Sequence, residues 1–260
     1  MSADAGKALA RMLGSVLLAG ATLTGATLAC AAGVPAAPAA PAAPATAPAP
    51  DWPDSFVARL EALALLQTLN AELLSHDSAT LTLERWCDGH RLASPARIVA
   101  ERVAGSEQPP TEQQRVELRV TASDTVRYRR VRLRCGERVL SEADNWYVPG
   151  RLTADMNRSL ETSDTPFGRV VQALHFQRHT IAATLLWRPL PEGWEMSAAA
   201  ASDDPGRLIA PTGVLQHRAL LSLPDGTPFS EVVETYSGNV LAFALPQPVP
   251  PAQPVPPARP

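Results

Sequence analysis

The chain has 260 residues, of which 45% are hydrophobic and 26 are prolines, and its formal net charge at pH 7 is -3. This small negative charge argues against a protein that binds the phosphate backbone of nucleic acids. Arginines cluster within residues 127–138, but acidic residues elsewhere offset them. We therefore expect no nucleic-acid partner.

The first 32 residues have the pattern of a secretory signal. Lys7 and Arg11 precede an apolar run over residues 12–32, and residues 29–31 supply the small-x-small pattern that signal peptidase cleaves. Glycines and threonines dilute the run, which makes a permanent membrane anchor the weaker interpretation. The pattern predicts a signal peptide over residues 1–32 and a periplasmic or otherwise exported protein. Lipidation of Cys30 stays open, and it would be the protein's one contact with a membrane.

Two segments rich in proline bracket the remainder of the chain. Residues 33–51 and 247–260 contain no apolar set that could pack into a core, and proline removes backbone hydrogen-bond donors. We predict that both are extended, one as a Pro/Ala-rich linker and the other as a tail. Residues 52–246 are long enough to bury a core, and we expect them to form one monomeric domain.

Hydrophobic periodicity predicts the elements of this domain. Apolar residues at spacings of three and four indicate helices, and alternation indicates strands. Helices are predicted over residues 53–74, 81–87, 152–160 and 167–174. Strands are predicted over residues 115–121, 126–135, 139–148, 180–187, 193–199, 214–223 and 229–236. The pattern is that of an α+β domain with an antiparallel sheet of about six strands flanked by helices.

Most of the common catalytic signatures do not occur in the chain. It has no Gly-rich phosphate loop, no HExxH motif and no GxSxG motif, so we predict no bound cofactor. His175 and His179 are four residues apart, but no acidic or cysteine ligand stands at a matching offset. We therefore predict no metal site.

Cys87 and Cys135 would remain as a pair if Cys30 is removed or lipidated. An oxidising compartment would allow them to form a disulfide bond. Spacing alone does not show whether their Cα atoms come within reach, so a disulfide and two buried thiols both remain open.

Four stretches of the domain resemble the chorismate pyruvate-lyase family, whose fold also serves as an effector-binding domain in transcription regulators. Each matches a family motif, and the four occur in the family's order over nearly the whole domain. The stretches are residues 78–82 (SATLT), 130–135 (RVRLRC), 165–169 (TPFGR) and 225–228 (DGTP), the last leading into Glu234. The resemblance implies a chorismate lyase-like α+β fold in an exported protein.

The same resemblance assigns roles to particular residues. Arg130 would hold the carboxylate of the ligand ring, and Glu234 would meet the hydroxyl on the opposite side, which makes these two the catalytic candidates. Backbone donors at Leu81 and Phe167 would help to bind the substrate. Strand alternation leaves Arg129 open as the arginine that binds the carboxylate, because Arg129 lies on the apolar face of its predicted strand. A planar guanidinium suits this role since it binds a carboxylate through two hydrogen bonds.

The implied reaction is elimination of pyruvate from chorismate or a related enol ether, which gives 4-hydroxybenzoate. Asn145 stands where the family has an arginine, and losing that charge would suit a monocarboxylate better than chorismate. Chorismate is made and used in the cytoplasm, whereas this chain has an export signal. A non-catalytic periplasmic binding or accessory module for a small aromatic carboxylate is therefore the alternative function.

Overall fold

The computed structural model describes residues 52–105, 107–196 and 206–243. Within them, six antiparallel strands form one sheet in the order β1-β2-β3-β6-β5-β4. The strands are β1 (Ile98–Arg102), β2 (Arg127–Cys135), β3 (Arg138–Tyr147), β4 (Gln177–Leu185), β5 (Leu215–Ser222) and β6 (Pro228–Tyr236). The predicted signal peptide, the linker at 33–51 and the tail at 247–260 lie outside the described residues.

Five α-helices accompany the sheet in the described residues. They are α1 (Phe56–Leu74), α2 (Ala79–Gly89), α3 (Glu112–Glu117), α4 (Ala154–Thr162) and α5 (Phe167–Val170). Ser55 and Ser78 cap the first two helices, since each serine hydroxyl accepts a hydrogen bond from the backbone amide three residues later. The predicted α+β class, with six antiparallel strands flanked by helices, is confirmed. No helix among the described residues has both the length and the apolar character needed to cross a membrane.

The two faces of the sheet have different surroundings. Helices α1 and α2 pack on the inner face, where buried leucines of α1 and the inward residues of the strands form the main core. Leu66, Leu69 and Leu73 have no exposed surface. Burying a leucine side chain contributes roughly 2 kcal/mol, so this seam accounts for much of the attachment of α1 to the sheet. On the outer face, Leu118, the residue after α3, packs with Trp146 and Val148.

Two predicted strands are wrong where the structure describes them. Residues 112–117 form helix α3, because Thr111 and Gln114 make a reciprocal capping box that starts a helix. The helix and the turn after it leave Val116 66% exposed but bury Leu118 completely. Residues 193–196 of the predicted strand 193–199 form a turn, and the remainder lies outside the described residues.

The helix after Thr165 is also shorter than predicted. Helix α5 ends at Val170, and a 3-10 turn over Gln172–Leu174 completes the predicted span. The N-cap is Pro166, which makes no side-chain capping hydrogen bond. Helix α5 therefore depends on its packing more than on its own capping.

Cys87 and Cys135 form a disulfide bond between α2 and β2, with Cα atoms 6.5 Å apart. Both side chains are fully buried. The bond joins a helix of the inner layer to the last residue of β2, so it fixes the position of α2 on the sheet. Of the two alternatives left open by the sequence, the structure therefore has the disulfide and not two free thiols.

Candidate anion-binding cleft

An open cleft with a volume of about 580 Å³ lies at one end of the sheet. Its walls come from the ends of β1, β2 and β3, from the segment before α3 and from the last turn of α4. Charged residues dominate the lining, with four arginines and two glutamates, namely Arg102, Arg115, Arg127, Arg129, Glu107 and Glu161. The cleft thus carries an excess of two positive charges.

Arg129 is the most buried of these arginines, with 5% of its surface exposed. Its Nη2 donates a hydrogen bond to the carbonyl oxygen of Thr165 at 3.3 Å, and its Nε has no hydrogen-bond partner. No carboxylate of the described residues lies within ion-pair distance of its guanidinium. Burial, followed by the positive charge of Arg102, lowers the pKa of Arg129 to about 10. The group nevertheless stays charged at neutral pH.

Apolar side chains also line the cleft, next to the charged ones. Val126, Tyr147 and Leu160 line it, and the ring of Tyr147 packs 5.7 Å from that of Phe167. A site with apolar walls and a few convergent polar groups is typical of small-molecule binding. This arrangement suits a ligand that has an apolar body and an anionic end.

The structure brings the Leu81 and Phe167 stretches together beside Arg129. Gly168 in α5 packs so closely on the start of α2 that a Cβ at this position would lie 3.0 Å from Ser78 Oγ. Thr165, whose carbonyl accepts from Arg129, immediately precedes α5. The amide of Leu81 donates to the capping serine at 3.4 Å, so it already has a partner. Phe167 itself lies in a core cluster behind Tyr147.

Glu234 lies on the inner face of β6, but it does not line the cleft. Its Oε2 is 2.7 Å from Nη2 of Arg178 and accepts a hydrogen bond from the Tyr236 hydroxyl at 3.1 Å. Register places Glu234 opposite Ala143 of β3, two strands away from β2. Glu234 therefore shares a face with Arg129, while its negative charge is balanced inside the domain by Arg178.

Arg130 points to the outer face of the sheet, away from both Arg129 and Glu234. Its Nη2 lies 2.9 Å from Glu142, and its Nε lies 3.7 Å from Asp144. About a third of the Arg130 side chain is exposed. The structure therefore does not bring Arg130 and Glu234 into one site, and the carboxylate-binding role of either arginine stays a prediction.

Some residues of the cleft could not be identified from the sequence. Arg102 ends β1 and Arg115 belongs to α3, and neither belongs to a motif or to a periodic pattern that indicates a site. Arg127 stands in the arginine-rich stretch, but no motif distinguishes it there as a site residue. Asn145 is directly opposite Arg129, and its amide oxygen accepts the Ser230 hydroxyl at 2.8 Å. Where the chorismate lyase family has an arginine, this chain thus has the neutral Asn145, which is hydrogen-bonded to the buried Ser230.

The fold and the cleft define an α+β domain with an arginine-lined cleft at one end of an antiparallel sheet. The chain is 56% identical over 196 residues to a protein of Sinorhizobium fredii with the name "Uncharacterized protein y4mC". The match covers 75% of this chain and 83% of that protein. The chain therefore belongs to the same family as the S. fredii protein. No model of an established protein family matches it.

Several solved structures have a similar course of the chain. The effector domain of PhnF from Mycobacterium smegmatis aligns with a TM-score of 0.40 at 13% identity, over 66% of this chain and 95% of that domain. The regulator YydK of Bacillus subtilis aligns with a TM-score of 0.34 at 14% identity, over 58% of this chain and 61% of its own. This chain thus spans less than two thirds of that regulator. These similarities do not extend to a ligand or an activity.

Proposed function

We propose that the domain binds a small aromatic carboxylate in the arginine-lined cleft and that Arg129 holds the carboxylate. The observation that carries this proposal is a buried guanidinium that has no anionic partner among the described residues. Burying an unpaired charge costs several kcal/mol of folding free energy. A buried arginine without an anion therefore indicates a functional role, such as binding an anionic ligand. A ligand carboxylate would supply the missing charge and accept a hydrogen bond from the free Nε.

The walls of the cleft support the aromatic part of the proposal. Tyr147 and Leu160 give a ring flat apolar surface beside the charged groups. Helix α5, whose preceding carbonyl orients Arg129, is packed tightly on α2 and is tied to it by an ion pair at 2.6 Å between Arg169 and Glu84. The binding group is therefore set on a rigid support, which reduces the entropy lost on binding.

Titration of the full chain with 4-hydroxybenzoate by calorimetry tests the proposal. Replacing Arg129 with glutamine removes a charged hydrogen-bonding partner worth about 1.5–3 kcal/mol, which corresponds to a loss of affinity of roughly 10- to 150-fold. Arg130→Gln is the matched control because it changes the adjacent residue on the opposite face. Unchanged affinity in Arg129→Gln, or an equal loss in both variants, would exclude Arg129 as the carboxylate ligand.

Elimination of pyruvate from chorismate is a second candidate function. It is favoured by the four stretches that resemble chorismate lyases, since two of them, around Leu81 and Phe167, lie together beside Arg129. The ion pair between Glu234 and Arg178 opposes it, because it holds Glu234 inside the domain and Glu234 does not line the cleft. Incubation with chorismate, followed by absorbance of 4-hydroxybenzoate, separates the two candidates. Turnover would establish the lyase, whereas binding without turnover would leave the binding module.

We also propose that the protein is exported. The signal pattern of residues 1–32 and the Cys87–Cys135 disulfide support this location, because disulfides persist in oxidising compartments. Fractionation of cells that express the full chain should place a shortened, oxidised protein outside the cytoplasm. Cys30→Ala distinguishes the two processing routes, since it prevents lipidation but leaves cleavage possible. An unshortened chain in the cytoplasm, with Cys87 and Cys135 as free thiols, would contradict export.

A further inference from the structure

Three arginines of the cleft have no carboxylate partner among the described residues. Arg102 donates to the carbonyl of Glu161, Arg115 donates to the carbonyl of Thr121 at 3.1 Å, and Arg129 donates to the carbonyl of Thr165. A carbonyl satisfies a donor but leaves the charge uncompensated. The side chain of Glu161 pairs with the remaining arginine of the cleft, Arg127. More than one positive charge is thus available to a ligand.

Two of these arginines are close neighbours on one face of the sheet. The Cα atom of Arg102 pairs with that of Val131, and Arg129 is two residues before Val131 on the same strand face. Side chains in this diagonal relation are within reach of each other. Burial is the larger cause of the lowered pKa of Arg129, and the nearby charge of Arg102 adds to it. Like charges held in this way repel each other and favour the arrival of an anion.

The arginines on the outer face of the same strand behave differently. Arg130 and Arg132 both form ion pairs with Glu142, and Arg134 forms ion pairs with Glu101 and Glu137. All three outer-face arginines of β2 are therefore paired with carboxylates, whereas on the cleft face Arg127 pairs with Glu161 and the buried Arg129 has no carboxylate partner among the described residues.

We infer that the ligand of the cleft is a small dianion whose negatively charged oxygens divide between Arg129 on one side and Arg102 and Arg115 on the other. This inference rests on the proposed function and specifies the charge of its ligand. A dicarboxylate and a phosphate monoester share the required chemistry, since each offers two negative charges to guanidinium groups. A dianion also accounts for Asn145, because the second positive charge comes from the edge strand β1 and from α3 instead of from β3.

Calorimetric titration of the full chain at low salt with benzoate, isophthalate and phenyl phosphate tests the inference. Benzoate and isophthalate have the same ring, but isophthalate has a second carboxylate. The ratio of their affinities therefore measures how much the second carboxylate contributes to binding. We expect isophthalate or phenyl phosphate to bind at least roughly tenfold more tightly than benzoate, as one added charged hydrogen bond implies. Whichever of these two dianions binds more tightly identifies the carboxylate or the phosphate source.

Arginine variants separate the two anionic groups. Arg102→Gln should lower the affinity for the dianions and leave that for benzoate within about twofold, because benzoate has no second group to lose. Arg129→Gln should weaken all three ligands, and Arg132→Gln on the outer face should weaken none. Equal affinities for benzoate and the dianions, or an equal loss for all three ligands in Arg102→Gln, would overturn the dianion and leave the carboxylate site intact. Binding of none of the three would overturn both.

Discussion

The carboxylate of Glu234 and the guanidinium of Arg178 lie 2.7 Å apart in the interior, with side chains that are 7% and 4% exposed. The amide of Arg178 also donates to Asp77 at 2.9 Å, immediately before the serine that caps α2. The pair therefore connects β4, β6 and the start of α2. Glu234 therefore stabilises the folded domain through this ion pair, independently of any role in ligand binding.

Glu234→Gln should destabilise the domain by about 3–5 kcal/mol, because it leaves the charge of Arg178 buried without an anion. Urea unfolding followed by circular dichroism measures this loss. Glu142→Gln is the matched control, since Glu142 pairs with Arg130 on the outer face with about a third of each side chain exposed. Pairs of this kind contribute less than about 1 kcal/mol. Equal costs for the two variants would show that burial does not strengthen the Arg178–Glu234 pair.

Stability should fall on acidification because of His217. Its side chain is fully buried, and its Nε2 lies 2.8 Å from Asn70 Oδ1 of α1. Burial, followed by the charge of Arg178, lowers the pKa of His217 to about 4. The unfolded chain binds a proton near pH 6.5, so between pH 6.5 and 4 it holds more protons than the folded domain does. Stability is therefore retained above pH 6.5 and lost as the pH falls to about 4.

The size of this loss is at most about 3 kcal/mol, from 1.36 kcal/mol for each unit of pKa difference. Unfolding free energies measured at several pH values between 4 and 7 give the slope. His217→Gln should flatten the slope over this range, whereas His179→Gln, which changes an exposed histidine of β4, should preserve it. A slope that persists in His217→Gln would assign the acid sensitivity to carboxylates instead.

The sequence predicted the sheet well where alternation was clear. Residues 127–135 and 138–147 form the predicted hairpin around Gly136, which has a φ of 55° that favours glycine. Alternation gave the wrong prediction at residues 115–121, where Val116 and Leu118 are two residues apart, as apolar residues are in a strand. The capping box of Thr111 and Gln114 begins a helix instead. This capping signal lies before residues 115–121, where the alternation was found.

The site was less predictable because its charges come from distant parts of the chain. Alternation gave the correct faces of β2, with Arg129 on the apolar face and Arg130 on the solvated face. The partner of Glu234 is 56 residues away in sequence, and nothing local indicates it. The cleft depends in the same way on Arg102 and Arg115, which only the folded sheet and α3 bring near Arg129.

Reduction of the Cys87–Cys135 disulfide should destabilise the domain by about 4 kcal/mol, because the bond closes a long loop and restricts the unfolded chain. The two cysteines are 48 residues apart in sequence. Urea midpoints with and without dithiothreitol measure the effect. The double variant Cys87→Ala/Cys135→Ala is the control, since the reductant should not change its midpoint. A wild-type midpoint that the reductant leaves unchanged would show that the bond adds no stability.

Leu118 and Val116 distinguish the observed helix from the predicted strand. In a strand, both side chains would share one face and both would contribute to the core. In the structure, Leu118 has no exposed surface and packs with Trp146 and Val148, while Val116 is 66% exposed. Leu118→Ala should therefore cost about 2–5 kcal/mol through the cavity it creates, and Val116→Ala should change stability by less than about 0.5 kcal/mol.

The same pair of variants tests whether the segment with α3 helps to shape the cleft. This segment supplies Arg115 and Glu107 to the cleft wall, and Leu118 is its buried anchor on the outer face. Loosening the anchor should raise the dissociation constant for a bound anion, because part of the binding energy is then spent on ordering the segment. Calorimetry at a temperature where Leu118→Ala remains folded measures this effect. Equal ligand affinity in Leu118→Ala and Val116→Ala would mean that the cleft keeps its shape without this anchor.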